Sequence, residues 1–121
     1  MRGDLEIPPH TRCEGDLVVH GRLRVGAGAV IAGSVKTHGE LLLEEGARVE
    51  GSAVSAAAIR IEADCRLHGP VIAEEEITVA AGCELGSAAR PTTVSAPRLM
   101  LYPGVVAYGT VWARESGKVE G

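Results

Sequence analysis

Glycines at positions 15, 33, 51 and 69 stand eighteen residues apart, and that interval governs what this chain can fold into. Cut there, the middle of the sequence falls into four lines: GDLVVHGRLRVGAGAVIA, GSVKTHGELLLEEGARVE, GSAVSAAAIRIEADCRLH and GPVIAEEEITVAAGCELG. With each line numbered from its glycine, columns nine and eleven hold Leu23/Val25, Leu41/Leu43, Ile59/Ile61 and Ile77/Val79. Columns three and five hold Leu17/Val19, Val35/Thr37, Ala53/Ser55 and Val71/Ala73. Column fifteen holds Ala29, Ala47, Cys65 and Cys83, and column seventeen Ile31, Val49, Leu67 and Leu85. Side chains at i and i+2 leave the same face of a strand. The repeat therefore predicts three short strands and three corners per eighteen residues.

Such strands are too short for hairpins, so successive eighteens stack like the turns of a spring, each strand pairing in parallel with its copy one turn on. The expected fold is all-β: a three-sided parallel β-helix of about six turns. Between Gly15 and Gly86 there are seventeen charged residues, and none falls in the six inward columns, which chance alone allows roughly once in a thousand. The core is thus expected at Leu23, Val25, Leu41, Leu43, Ile59, Ile61, Ile77 and Val79. Column fourteen reads Gly28, Gly46, Asp64 and Gly82, which suits a left-handed backbone corner, and Gly21 and Gly39 mark another corner.

The register extends both ways. Leu5 and Ile7 fall in columns nine and eleven of a partial first turn, with Cys13 in its column seventeen. Near Ala88 to Thr93 four extra residues are inserted. Beyond them VSAPRLMLYPGVVAY matches VSAAAIRIEADCRLH, placing Leu99 and Leu101 inward, and a last partial turn from Gly109 carries Val111 and Ala113 inward. The 121 residues make one domain. The β-helix is expected over 4–114, between a disordered start at 1–3 and a disordered tail at 115–121.

Composition narrows the function. Three aromatic residues (Tyr102, Tyr108, Trp112), no Phe and sixteen glycines exclude a mostly helical fold and leave an aliphatic core. A net charge of -4 without basic runs argues against nucleic acid as a partner. No apolar stretch is long enough to cross a bilayer, the start carries no signal-peptide core, and three cysteines without CxxC spacing suit a reducing compartment. These features predict a cytoplasmic protein.

Residues with chemical potential have plain explanations in this register. Cys65 and Cys83 share a column with alanines and read as small buried hydrophobes. His20 and His38 share column six on the surface, where a metal site would need further ligands nearby; the column continues with Ala56 and Glu74. No nucleophile elbow, zinc-protease motif, P-loop or dinucleotide fingerprint is present, so no catalytic residue, cofactor or metal is expected.

Two surface features remain. The outward fourth column reads Val18, Lys36, Val54, Ile72, Val94 and Trp112, a lateral apolar stripe through Val18, Val54, Ile72 and Val94. The ends, moreover, expose unpaired backbone and open core unless capped. Leu5 and Ile7 at one end, and Tyr108, Val111, Trp112 and Ala113 at the other, are the candidate contacts for end-to-end stacking into a homo-polymer.

The repeated G-[DS]-[LV] turn openings, with RLRV, ELLLEEGARVEGS and AIRIEADCRLHG, resemble the bactofilins, bacterial polymer-forming cytoskeletal proteins, over about residues 4–114. That resemblance implies a right-handed winding and filaments formed without nucleotide, often at the inner face of the membrane. The family's Pro-rich tails, N-terminal membrane-targeting segment and terminal Phe have no counterpart here. Trp112 and Tyr108 are the expected substitutes for the Phe, and membrane association stays open. Two alternatives stand beside it. Left-handed hexapeptide-repeat acyltransferases share the eighteen-residue turn, but their hexads are alike on all three sides, whereas here one side follows the small-then-aliphatic rule. The other is a non-polymerising β-helical adaptor. Because Ile59 lies mid-core in this register, Ile59→Asp should abolish folding, at a cost above the roughly 2–5 kcal/mol of a large-to-Ala change. A soluble variant with an unchanged circular dichroism spectrum would reject the register.

Overall fold

The computed structural model describes residues 3–119, with side chains described through Ala113. Each turn of the chain supplies one strand to each of three faces. The first contributes β1 (Leu5–Ile7), β2 (Arg12–Cys13) and β3 (Leu17–Val19); the second β4 (Leu23–Val25), β5 (Val30–Ile31) and β6 (Val35–Thr37). The third adds β7 (Leu41–Leu43), β8 (Arg48–Val49) and β9 (Ala53–Ser55), and the fourth β10 (Ala58–Ile61), β11 (Arg66–Leu67) and β12 (Val71–Ala73). Next come β13 (Glu76–Val79), β14 (Glu84–Leu85), the long β15 (Thr92–Leu101), β16 (Val106–Ala107) and the long β17 (Gly109–Val119). Every pairing among these strands is parallel, and through the first four turns the step is eighteen, as in Leu5↔Leu23, Leu23↔Leu41 and Leu41↔Ile59. The described residues form a β-solenoid of about six turns without a helix.

Burial follows the columns. Leu23, Val25, Leu41, Leu43, Ile59, Ile61, Ile77 and Val79 are all buried, with Ala29, Ala47, Cys65 and Cys83 beside them. Column five brings two hydroxyls inside, and both are satisfied: Thr37 Oγ1 donates to the Gly39 carbonyl at 2.7 Å, and Ser55 Oγ to the same carbonyl at 2.9 Å. A buried hydroxyl costs little once it is bonded.

The corners explain the glycines in two ways. In column fourteen Gly28, Gly46, Asp64 and Gly82 have φ between 60° and 78°, as their composition predicts, and Gly104 continues the row at 83°. His10 occupies the same place in the first turn with φ 55°. Only His, Asp and Asn among side-chain-bearing residues enter this region with any frequency. At Gly33, Gly51 and Gly69 of column one the reason is space. The Gly69 N–H donates to the Gly51 carbonyl at 3.1 Å, and a Cβ on Gly69 would lie 2.5 Å from that oxygen.

Two features depart from the sequence expectation. The inserted segment is one residue longer than the pairing of Leu99 implies, and the following corner one shorter: Val71 pairs with Val94, a step of 23, whereas Ile77 pairs with Leu99, a step of 22. The insertion closes on itself through reciprocal backbone bonds between Ser87 and Arg90 (3.0 and 3.1 Å). The shortened corner at Pro97 lets β15 run unbroken from one face to the next. Secondly, the last strand runs past residue 114, where the β-helix was expected to end. β17 continues through Val119, with Arg98–Leu101 of β15 as its template. Met1, Arg2, Glu120 and Gly121, which include parts of the expected disordered ends, lie outside the described residues.

Gly69→Ala should lower stability by about 1–3 kcal/mol, because a methyl forced against a carbonyl moves the backbone of two turns. Thermal denaturation would show it; an unchanged midpoint would mean that the turns do not approach this closely.

Candidate functional site

In the last described turn the inward columns are less enclosed than in the body of the coil. Val71 and Val94 are fully buried, but their successor Val111, on the last described strand, is 41% exposed. Ala113, which continues the column of Ala73 and Ala96, is half-buried, as are Val105 and Ala107. Beside them stand two outward aromatics: Trp112, opposite Ser95 and 62% exposed, and Tyr108. The Tyr108 backbone is pinned, its N–H donating to Leu85 and its carbonyl accepting from Thr92 at 2.7 Å. Of the seven large hydrophobic residues exposed among the described residues, five (Tyr102, Val106, Tyr108, Val111 and Trp112) lie within these last turns. Sequence reading found Tyr108, Val111 and Trp112 but passed over Val106, which follows Arg66 and Glu84 in a mostly charged outward column.

The N-terminal end is different in kind. Leu5, Cys13 and Leu17 are half-buried against the core, but Ile7, expected at the end surface, is 5% exposed and belongs to the core cluster with its rung partner Val25. Charge rims this opening. Asp4 Oδ1 accepts the Arg22 backbone N–H at 2.9 Å and Oδ2 meets the Arg22 guanidinium at 3.2 Å; these contacts, the backbone bond foremost, hold the Asp4 carboxyl below the ordinary carboxylate range. Arg24 joins Glu44 at 2.6 Å and Glu6 at 3.8 Å, with Glu44 the main reason its guanidinium is held still more firmly protonated. On the neighbouring face Asp16 caps the Ser34 amide at 2.8 Å and Ser34 Oγ caps the Ser52 amide at 3.0 Å. Side chains of one turn thus satisfy amides of the next where the corner interrupts the ladder.

The lateral stripe is only partly as the sequence suggests. Val18 and Ile72 are exposed and Val54 half-buried, all outward on one face. Val94 is not among them. It is fully buried, and Ser95 takes the outward place opposite Ile72, because the insertion is longer and the next corner shorter than the repeat. The ladder therefore reads Val18, Lys36, Val54, Ile72, Ser95, Trp112.

Cys65 and Cys83 sit in the core as small side chains. Their thiols contact the carbonyls of Glu44 (3.1 Å) and Glu62 (3.0 Å), and the contact with Cys83, followed by burial, pushes the Cys65 thiol up. A thiol so placed is a poor nucleophile. Among the described residues no three His, Cys, Asp or Glu side chains gather as a metal cluster, and no helix is long and apolar enough to cross a membrane.

An aliphatic β-solenoid without a catalytic or metal cluster among its described residues fits a structural class of protein, a scaffold. The family model described as "Bactofilin: Polymer-forming cytoskeletal" matches residues 6–112, and the chain belongs to that family. Comparison with curated proteins and with solved structures gives no match.

The register of β15 is testable by charge. Val94→Lys should cost at least about 3 kcal/mol by placing an ammonium in the core, while Ser95→Lys should change stability by less than about 1 kcal/mol. Urea denaturation of both variants decides it. The reverse ranking would restore Val94 to the outside.

Proposed function

We propose that this protein is a self-polymerising cytoskeletal scaffold in the cytoplasm, its subunits joined through the ends of the solenoid without nucleotide. The observation that carries this reading is Val111: it continues a core column on the last described strand and is nevertheless 41% exposed. Covering it with a second copy continues the column, and the unpaired outer edge of β17 offers backbone groups for the same contact. Trp112 and Tyr108, with Val106, frame the joint as aromatic and aliphatic anchors, the residue types that dominate interface energetics. At the opposite end Leu5 supplies the apolar contact, within a rim of Asp4, Glu6, Arg22 and Arg24 that orients the partner. Ile7 supports that end from inside. The family description, polymer-forming and cytoskeletal, supports the same reading. Nothing in such a joint calls for a catalytic group or a cofactor. The lateral row of Val18, Val54 and Ile72 lies on a flank, where it suits side-by-side contacts or scaffolded proteins rather than the joint itself.

Negative-stain microscopy of the purified protein without nucleotide should show filaments. Val111→Asp and Trp112→Arg should each yield a folded protein that sediments as a small species. Filaments of unchanged length in both variants would move the joint away from the C-terminal end, and short particles in the parent would overturn the reading.

A further inference from the structure

His20 and His38 form a pair that neither the core nor the ends require. Each follows the last residue of a paired strand, β3 and β6, in which Val19 lies opposite Thr37. The His38 N–H donates to the Val19 carbonyl at 3.0 Å, so the two backbones are locked one rung apart. Both side chains are exposed, and their ring centroids stand 4.7 Å apart with the planes at 70°. Gly21 and Gly39 follow them, and the next place in the column is Ala56, so small neighbours leave the solvent side of the rings uncrowded.

Two imidazoles at this spacing are the donor set of a chelate. Neutral imidazole is a ligand for borderline divalent ions, with affinity rising from Co²⁺ through Ni²⁺ to Cu²⁺. The backbone ladder has already fixed the distance between the two histidines, so binding orders only side-chain torsions. The Cβ–Cγ torsion of histidine has a broad energy well, and a turn about it in either ring directs one nitrogen from each toward a common point. Because no third His, Cys, Asp or Glu joins them among the described residues, the protein offers two ligands and leaves the other positions to water. That excludes a closed structural zinc site, which needs four protein donors. We propose that His20 and His38 constitute a two-imidazole surface site for a divalent transition-metal ion.

The test is a calorimetric titration of the full-length protein with Ni²⁺ in a non-chelating buffer. One ion per chain should bind, and His20→Gln and His38→Gln should each weaken the affinity at least tenfold, while His68→Gln leaves it unchanged. Both histidines are exposed, so the variants should keep the parent circular dichroism spectrum. A second readout needs no variant: paramagnetic Ni²⁺ should shift or broaden the imidazole proton signals of His20 and His38 before those of His10 and His68. Equal affinity in the parent and both Gln variants, no saturable binding below millimolar Ni²⁺, or uniform broadening of all four histidines would each overturn the site.

Discussion

The hydrogen bond from one turn to the next is the constraint on which the rest of the molecule depends. Each such bond is worth only about 1 kcal/mol net, but an amide or carbonyl left unmet in the interior of a sheet costs more than that. Pairing therefore holds the chain to a step of eighteen wherever nothing is inserted, as in Val30↔Arg48 and Ile31↔Val49. Once the step is fixed, every residue stands over its counterpart, and the inward and corner columns each keep one physical character while the outward columns vary. Inward columns become aliphatic and the corner columns fill with residues tolerant of a left-handed backbone or of close approach. The core needs no aromatic ring. Leu, Ile and Val fill columns nine, eleven and seventeen, with Ala or Cys in column fifteen.

Because the fold is periodic, most of it was legible without coordinates. Inward and outward positions separate by charge alone, so Leu23 through Val79 could be assigned from their columns and are buried as expected. What escaped was local and aperiodic. Val94 was misplaced because an insertion and a shortened corner compensate each other: the pattern at Leu99 and Leu101 comes back into phase, which hides the slip between them and Leu85. His10 escaped for the opposite reason. It obeys the period, in the left-handed corner column, but its chemistry differs from the glycines that announce the column. The extent of β17 could not be read from ARESGKV, which carries no alternation of apolar residues; its pairing with the backbone of β15 is what defines the strand.

The candidate surfaces were legible to a lesser degree. That the ends should be active followed from the architecture, and Val111, Trp112 and Tyr108 were found by following the columns to their last members. The asymmetry between the ends was not visible. Residue identities placed Leu5 and Ile7 alike in inward columns, yet Ile7 is enclosed and Leu5 is not, a difference set by how the first turn packs. Membership of the bactofilin family agrees with the scaffold architecture, while the His20–His38 contact is a property of these two positions in this chain.

The passage of β15 across a corner without interruption has a mechanical consequence. Earlier in the coil, each face is a stack of short segments linked by bends. In the last turns β15 and β17 each pass from one face to the next, nine residues of one paired with nine of the other and a register shift at the corner between Ala96 and Arg98. Across that corner the two faces share one backbone in β15 and again in β17, so a displacement of one face is passed to the other along the strand itself.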